Sequence, residues 1–374
     1  MNKYVQRLRK IEGAITERFD PWQPSNLVKS SSPGVNWLYG NNQGFPRGFT
    51  TLLWGEQKSG KSLLSYDWIG QVHKSDPEAL AIKFDTEYRD DAQLTTESAA
   101  MFGIDMERYI PIQNNEPTIF DEIKETIASV NQDGGKVRII VIDSVNAILG
   151  RREADQETVT QHQIGDNAAT LQVALKAIRK TIHDQRIALV LTAHARDEMD
   201  QLEIKRGNKK KVGVANAVKH NCEFFLNVSR NRNKDGKKNL LDQELVDNTK
   251  KDMDDDAELT GHRIKVWMQA NTMGVDNRVA EFTFDYKRGI INTHEEVFKL
   301  GLKWGIIKRP NLQTYVVGSD KFRGLPDCLE ALRTRPDLQK TILAQLIERE
   351  KVGAVPILTA EDAKAELDSE EVAE

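Results

Sequence analysis

Gly55, Glu56, Gln57, Lys58, Ser59, Gly60, Lys61 and Ser62 fit the pattern G-x-x-x-x-G-K-[ST], a spacing suited to cradling phosphates. Gly55 and Gly60 allow backbone angles and close approaches that a Cβ would block. The loop N–H groups and the start of a following helix face an anion. Lys61 can reach the β- and γ-phosphates of a nucleoside triphosphate, and the Ser62 hydroxyl can ligate Mg²⁺. ATP and Mg²⁺ are therefore the expected cofactors, and Leu63 is the last of the cofactor-binding positions. The flanks support this. Residues 50–54 form a short apolar, β-prone run, and Leu64, Trp68 and Val72 recur four apart on one helical face.

Further polar residues stand where strands are expected to end. Asp143 closes the apolar run 138–142, the place for a second carboxylate beside the phosphate loop, holding Mg²⁺ through water or with Ser62. Glu87 follows the strand expected at 79–85 and can polarise a water that attacks the γ-phosphate. His194 is expected at the end of the strand 187–193, placed to sense whether that phosphate is present. Lys61, Glu87 and His194 form the expected catalytic set.

Past His194 the sequence turns basic. Arg196 comes first; then five of the seven residues 205–211 are Lys205, Arg206, Lys209, Lys210 and Lys211, with no acidic residue among them. A glycine-containing basic loop beside a phosphate sensor suits nucleotide-controlled binding of a nucleic-acid backbone. A second loop, 150–163, is mixed in charge and offers Arg151 and Arg152.

The elements that must position these residues follow a βα alternation. Strands are expected at 79–85, 137–142, 187–192 and 222–228, with helices at 118–130 and 166–184. The continuous apolar runs fit parallel strands buried on both faces. Residues 262–268 and 280–284 read as an antiparallel pair. Four divisions result: an N-terminal helix and Pro/Ser linker (1–34), a core (35–290) with a charged excursion at 231–261, a small α/β appendage (291–352), and an acidic tail (353–374).

The 374-residue chain is 39% hydrophobic and 29% charged, with two cysteines, Cys222 and Cys328. Two thiols make a disulfide framework improbable and suit a reducing cytoplasm. No run reaches membrane-span length, and the N-terminus does not read as a signal peptide. The net charge of −4 hides a partition: residues 361–374 carry seven acids and one lysine, so the remainder is net basic.

Together these features resemble the RecA family of recombinases over about residues 35–307. Gly55 to Ser62 match its phosphate loop, Asp85, Thr86 and Glu87 its catalytic glutamate motif, and residues 139–144 its Walker B strand. Ile164, Gly165 and Asp166 stand where the family has the same triplet, and residues 215–219 are similar to the G-N-A-L-K run that closes its second DNA loop. A histidine rather than a glutamine at position 194, the short N-terminal helix and the acidic tail are similar to the phage, UvsX-like branch. The resemblance implies an α/β fold, a RecA-like P-loop NTPase core with a mostly parallel twisted sheet. It implies a DNA-dependent ATPase that exchanges strands between single- and double-stranded DNA as a head-to-tail helical filament. A single-strand-binding protein and a loader would be further partners, no membrane would be involved, and a phage-encoded protein would work in the host cytoplasm. The family's interface lysine pair is missing from residues 269–272, which leaves Arg278 as the candidate cation. The second loop lacks an aromatic, which leaves Met199, Leu202 or Ile204 to wedge between bases. A hexameric helicase motor and an ATP-binding mediator without strand exchange are the alternatives.

Overall fold

A computed structural model describes residues 19–40, 44–90, 94–151, 166–205, 210–214, 216–230, 260–311 and 313–352. The expected N-terminal helix, the charged excursion and the acidic tail lie almost wholly outside these residues, as do Arg152, Arg206 and Lys209.

A two-residue ribbon, β1 (Leu27–Val28), precedes the short helix α1 (Pro33–Trp37), whose Ser32 Oγ accepts the Val35 N–H as an N-cap, and pairs with β2 (Phe45–Pro46). The alternating core then begins: β3 (Thr50–Gly55), α2 (Lys61–Ser75), β4 (Ala79–Asp85), α3 (Thr96–Phe102), β5 (Tyr109–Ile112), α4 (Ile119–Gln132) and β6 (Lys136–Asp143). It continues through α5 (Asp166–Asp184), β7 (Ala188–Asp197), the short α6 (Gln201–Lys205), β8 (Lys210–Val212), α7 (Asn216–Lys219) and β9 (Phe224–Arg230). Three strands extend the sheet, β10 (Gly261–Asn271), β11 (Arg278–Asp285) and β12 (Gly289–Ile291). The remaining elements are α8 (Thr293–Lys303), a small sheet β13 (Ile307–Asn311), β14 (Thr314–Val317) and β15 (Asp320–Arg323), then α9 (Gly324–Thr334) and α10 (Pro336–Lys351).

The large sheet runs β12-β11-β10-β9-β3-β7-β6-β4-β5. The six strands from β9 to β5 are mutually parallel, while β10, β11 and β12 join antiparallel. This is the α/β core the alternation implied. The sheet is buried on both faces because its strands alternate apolar residues to each side. Leu53, Ala81, Val141 and Val190 face α2 and the C-terminal elements, whereas Leu52, Ile82, Ile140 and Leu189 face α4 and α5. Among the described residues no helix is long and apolar enough to cross a membrane.

Two expectations need correction. The strand at 187–193 does not end at His194: β7 continues to Asp197, because Ala195, Arg196 and Asp197 pair antiparallel with Val212, Lys211 and Lys210 of β8. Cys222 lies in the turn before β9, where its thiol donates to the Val218 carbonyl, so it is core but not strand.

The C-terminal elements are pinned to α1 by a buried carboxylate. Glu296 on α8 is 6% exposed and accepts from Ser32 Oγ at 2.5 Å and from the Gly34 N–H at 2.9 Å. Burial pushes its carboxyl pKa up to about 8, against the opposing pull of the Ser32 and Gly34 hydrogen bonds. A raised carboxyl pKa means that the folded state holds the proton more tightly. Its contribution to stability is full below the ordinary carboxylic range and is lost as pH rises toward 8. Glu296→Gln keeps the acceptor and removes the titration. Its melting temperature should exceed wild type by a few degrees at pH 8.5, with the gap closing by pH 5, measured by thermal unfolding across that range.

Candidate nucleotide site and its basic hairpin

Parallel strands deliver their carboxyl ends to one edge of the sheet. Gly55 lies in register with His194 on β7, and Asp85 with Asp143 on β6, so these four residues stand side by side along one end of the parallel sheet. Glycine is required at both ends of the loop between β3 and α2. A Cβ on Gly55 would sit 2.0 Å from the Val228 carbonyl oxygen, and Gly60 has φ of 106°. The first intrahelical bond of α2 runs from the Leu64 N–H to the Gly60 carbonyl, which leaves the N–H groups of Lys61, Ser62 and Leu63 for an anion. Lys61 is folded over this cradle and donates to the carbonyls of Gly55 at 3.1 Å and Glu56 at 2.8 Å. Its burial lowers its pKa, while Asp143 and Glu87 oppose that shift.

Asp143 is the hub. Ser62 Oγ donates to its Oδ2 at 2.7 Å, and Thr192 Oγ1 donates to its Oδ1 at 2.5 Å. The groups that converge here are a carboxylate and a hydroxyl, both hard oxygen donors. That suits Mg²⁺, which takes one or two protein oxygens and fills its remaining positions with phosphate and water.

Glu87 and His194 meet beside this hub. His194 Nε2 lies 2.5 Å from Glu87 Oε1, Ser144 Oγ donates to the same oxygen at 2.5 Å, and Arg89 lies 2.8 Å from Oε2. The His194 hydrogen bond is the largest cause that takes the Glu87 pKa down to about 2, and Ser144 adds to it against burial. A carboxylate held this way is ionised but weakly basic.

A path of hydrogen bonds leads from His194 to the basic segment. The His194 N–H donates to Asn146 Oδ1 at 2.7 Å, Asn146 Nδ2 donates to the Gly213 carbonyl at 2.9 Å, and the Gly213 N–H donates to the His194 carbonyl at 2.7 Å. The β7–β8 hairpin thus grows directly out of the strand position of His194. Arg196 and Lys205 are exposed on it, as are Met199 at 84% and Leu202 at 64%. Lys210 pairs with Asp197 at 2.8 Å and with Glu56 of the phosphate loop at 3.2 Å, and Lys211 pairs with Glu198 at 2.9 Å. A phosphate backbone would compete with these carboxylates. Arg151 is exposed just beyond β6, and its N–H donates to Thr170 Oγ1. Arg278 is turned inward: its guanidinium stacks on Trp37, donates to the Trp37 carbonyl and pairs with Glu350.

Sequence reasoning missed Ser144, Asn146, Thr192 and Lys83. Their signal was present as polar residues interrupting or directly following apolar strand runs, but it does not say which neighbour each one meets. Asn146 is the most consequential of them, since it bonds both sides of the hairpin root. Asn146→Ala should leave binding of a fluorescent ATP analogue within about twofold of wild type. It should shrink the difference in single-stranded DNA affinity between ATP-analogue and ADP states by about fivefold, read by fluorescence anisotropy.

Comparison with known proteins agrees with this geometry. Residues 23–291 match the family model described as RecA N-terminal domain. The chain is similar to Protein RecA of Oleidesulfovibrio alaskensis, 24% identical over 339 residues that cover 90% of this chain and 86% of that protein. Protein RecA of Nautilia profundicola is 26% identical over 320 residues, covering 86% and 82%. That of Thermus aquaticus is 24% identical over 325 residues, covering 87% and 85%. With the phosphate loop, the strand-tip carboxylates and a family match over most of its length, this chain belongs to the RecA family.

Proposed function

We propose that this protein is an ATP-dependent DNA recombinase that assembles as a helical filament on single-stranded DNA and exchanges strands with homologous duplex. The observation that carries the proposal is the short hydrogen-bonded path from Glu87 through His194 and Asn146 to the root of the basic hairpin. Family membership supports the ATPase, and the curated relatives, spanning about nine-tenths of this chain, favour a recombinase over a helicase ring or a mediator.

ATP with Mg²⁺ would supply a terminal phosphate whose presence or loss can be sensed. The chain's own residues do the rest. The N–H groups from Gly55 to Leu63 and the Lys61 ammonium would hold the triphosphate, while Ser62 and Asp143 would hold the metal. Glu87 takes a proton from the attacking water, and it becomes basic enough when His194 swings off Oε1 toward the terminal phosphate. That movement pulls on Asn146 and Gly213 and reorients the hairpin. Arg196, Lys205, Arg206, Lys209, Lys210 and Lys211 then face DNA phosphates, with Arg151 and Arg152 from the neighbouring loop. Met199 and Leu202 supply the apolar wedge.

The finer reading follows the same lines. We take residues 1–34 as a polymerisation helix and linker, 35–290 as the ATPase core, 291–352 as a small C-terminal domain, and 353–374 as a tail that competes with DNA for basic surface. A histidine at the sensor position favours the phage, UvsX-like branch, acting in a host cytoplasm with a single-strand-binding protein and a loader.

Two measurements test the proposal. In a joint-molecule assay with homologous substrates, wild type should pair DNA with ATP present, and Lys61→Ala should lose at least about a hundredfold in ATP turnover together with pairing. Product formation by Lys61→Ala near the wild-type rate would reject the nucleotide site. Alanine at Lys205, Arg206, Lys209, Lys210 and Lys211 should weaken single-stranded DNA binding and flatten its salt dependence by several units of slope; an unchanged slope would make the run a solvated surface.

A further inference from the structure

β4 carries a lysine in the deepest part of the sheet. Lys83 is 1% exposed and shares its face of the strand with Ala79 and Ala81, under α2. In register it opposes Val141, and Asp85 opposes Asp143, so Asp143 is its diagonal neighbour on the same face. Lys83 Nζ lies 3.6 Å from Asp143 Oδ2, the oxygen that also accepts from Ser62. On its other side it donates to Asp90 Oδ1 at 2.6 Å and to the Tyr66 hydroxyl at 2.7 Å. Tyr66 donates to the same Asp90 oxygen, and Tyr109 donates to Asp90 Oδ2 at 2.6 Å. Burial raises the pKa of both phenols, so they remain donors.

One buried ammonium is therefore divided between two carboxylates. A lysine here is expensive, since a buried charge is tolerated only when paired and an apolar side chain would fill the same space. Its position gives it a use. A divalent cation held by Ser62 and Asp143 would meet a like charge whose Nζ lies 3.6 Å from Asp143 Oδ2, and Asp90 would govern how strongly that charge leans toward Asp143.

We propose that Lys83 is a positioning residue for the metal site: held by Asp90, Tyr66 and Tyr109, it orients Asp143 and sets how tightly Ser62 and Asp143 take Mg²⁺. This rests on reading Asp143 as the metal-side carboxylate.

The test is a Mg²⁺ titration of binding of a fluorescent, non-hydrolysed ATP analogue, followed by anisotropy, with thermal melts alongside. Asp90→Asn leaves Asp143 as the carboxylate paired with Lys83 among the described residues, and should raise the Mg²⁺ midpoint by about fivefold or more. Lys83→Met with Asp90→Asn removes the competing charge and should bring the midpoint back to wild type or below. Tyr109→Phe keeps every charge but frees Asp90 Oδ2 to draw Lys83 away, so its midpoint should fall; it serves if Asp90→Asn does not fold. A role in stability alone would lower melting temperatures and leave all midpoints together, which would overturn the proposal provided Asp143→Asn moves the midpoint. If Asp143→Asn also leaves it unmoved, the metal-side reading of Asp143 fails and the proposal falls with it.

Discussion

Asp143 ties the molecule together. Its two carboxylate oxygens accept from Ser62, which opens α2, and from Thr192 on β7, while Lys83 on β4 stands behind it. Three neighbouring segments are thus referred to one anionic group at the tip of β6. The arrangement depends on the parallel sheet: strands that run the same way in register end at the same level, so a short side chain can span from one tip to the next. An antiparallel neighbour would put its turn there instead.

The same edge converts local chemistry into a longer reach. Glu87 and His194 form a tight pair at the crevice, and His194 is at once a member of that pair and a backbone partner of Asn146. β7 does not stop there; it turns back as β8, so His194 sits at the base of a two-stranded hairpin rather than at the start of a loop. The ion pairs at the far end of the β7–β8 ladder, Lys210 with Asp197 and Glu56, are exposed, and Lys211, itself exposed, pairs with the partly buried Glu198. Exposed pairs of this kind contribute little stability, so breaking them costs the fold little.

Much of this was legible beforehand. The glycine loop is a local device whose residue types and flanks state their purpose, and the apolar runs at 79–85, 137–142 and 166–184 became β4, β6 and α5 with bounds shifted by at most a residue. Periodicity is set by the element itself, so it survives in one dimension. The short elements α3, β5 and β15 escaped notice, because brief segments carry little periodicity of their own. Arg278 is the candidate that the family resemblance offers for the missing interface lysine pair; that Trp37 and Glu350, distant in sequence, pack against it is not readable from its neighbours.

The sequence by itself determined the loop, the strand–helix alternation, the carboxylates at Asp143 and Glu87, the histidine at 194 and the basic run beyond it, since each rests on neighbours within a few residues. Tertiary structure alone decided that His194 holds Glu87, that Asn146 clasps the hairpin root, that Lys210 leans on Glu56, and that a buried Lys83 divides itself between Asp90 and Asp143. The physical reason is separation along the chain. Hydrogen bonds and charge pairs act over a few ångströms, and only the stacking of parallel strands brings residues dozens of positions apart within that range.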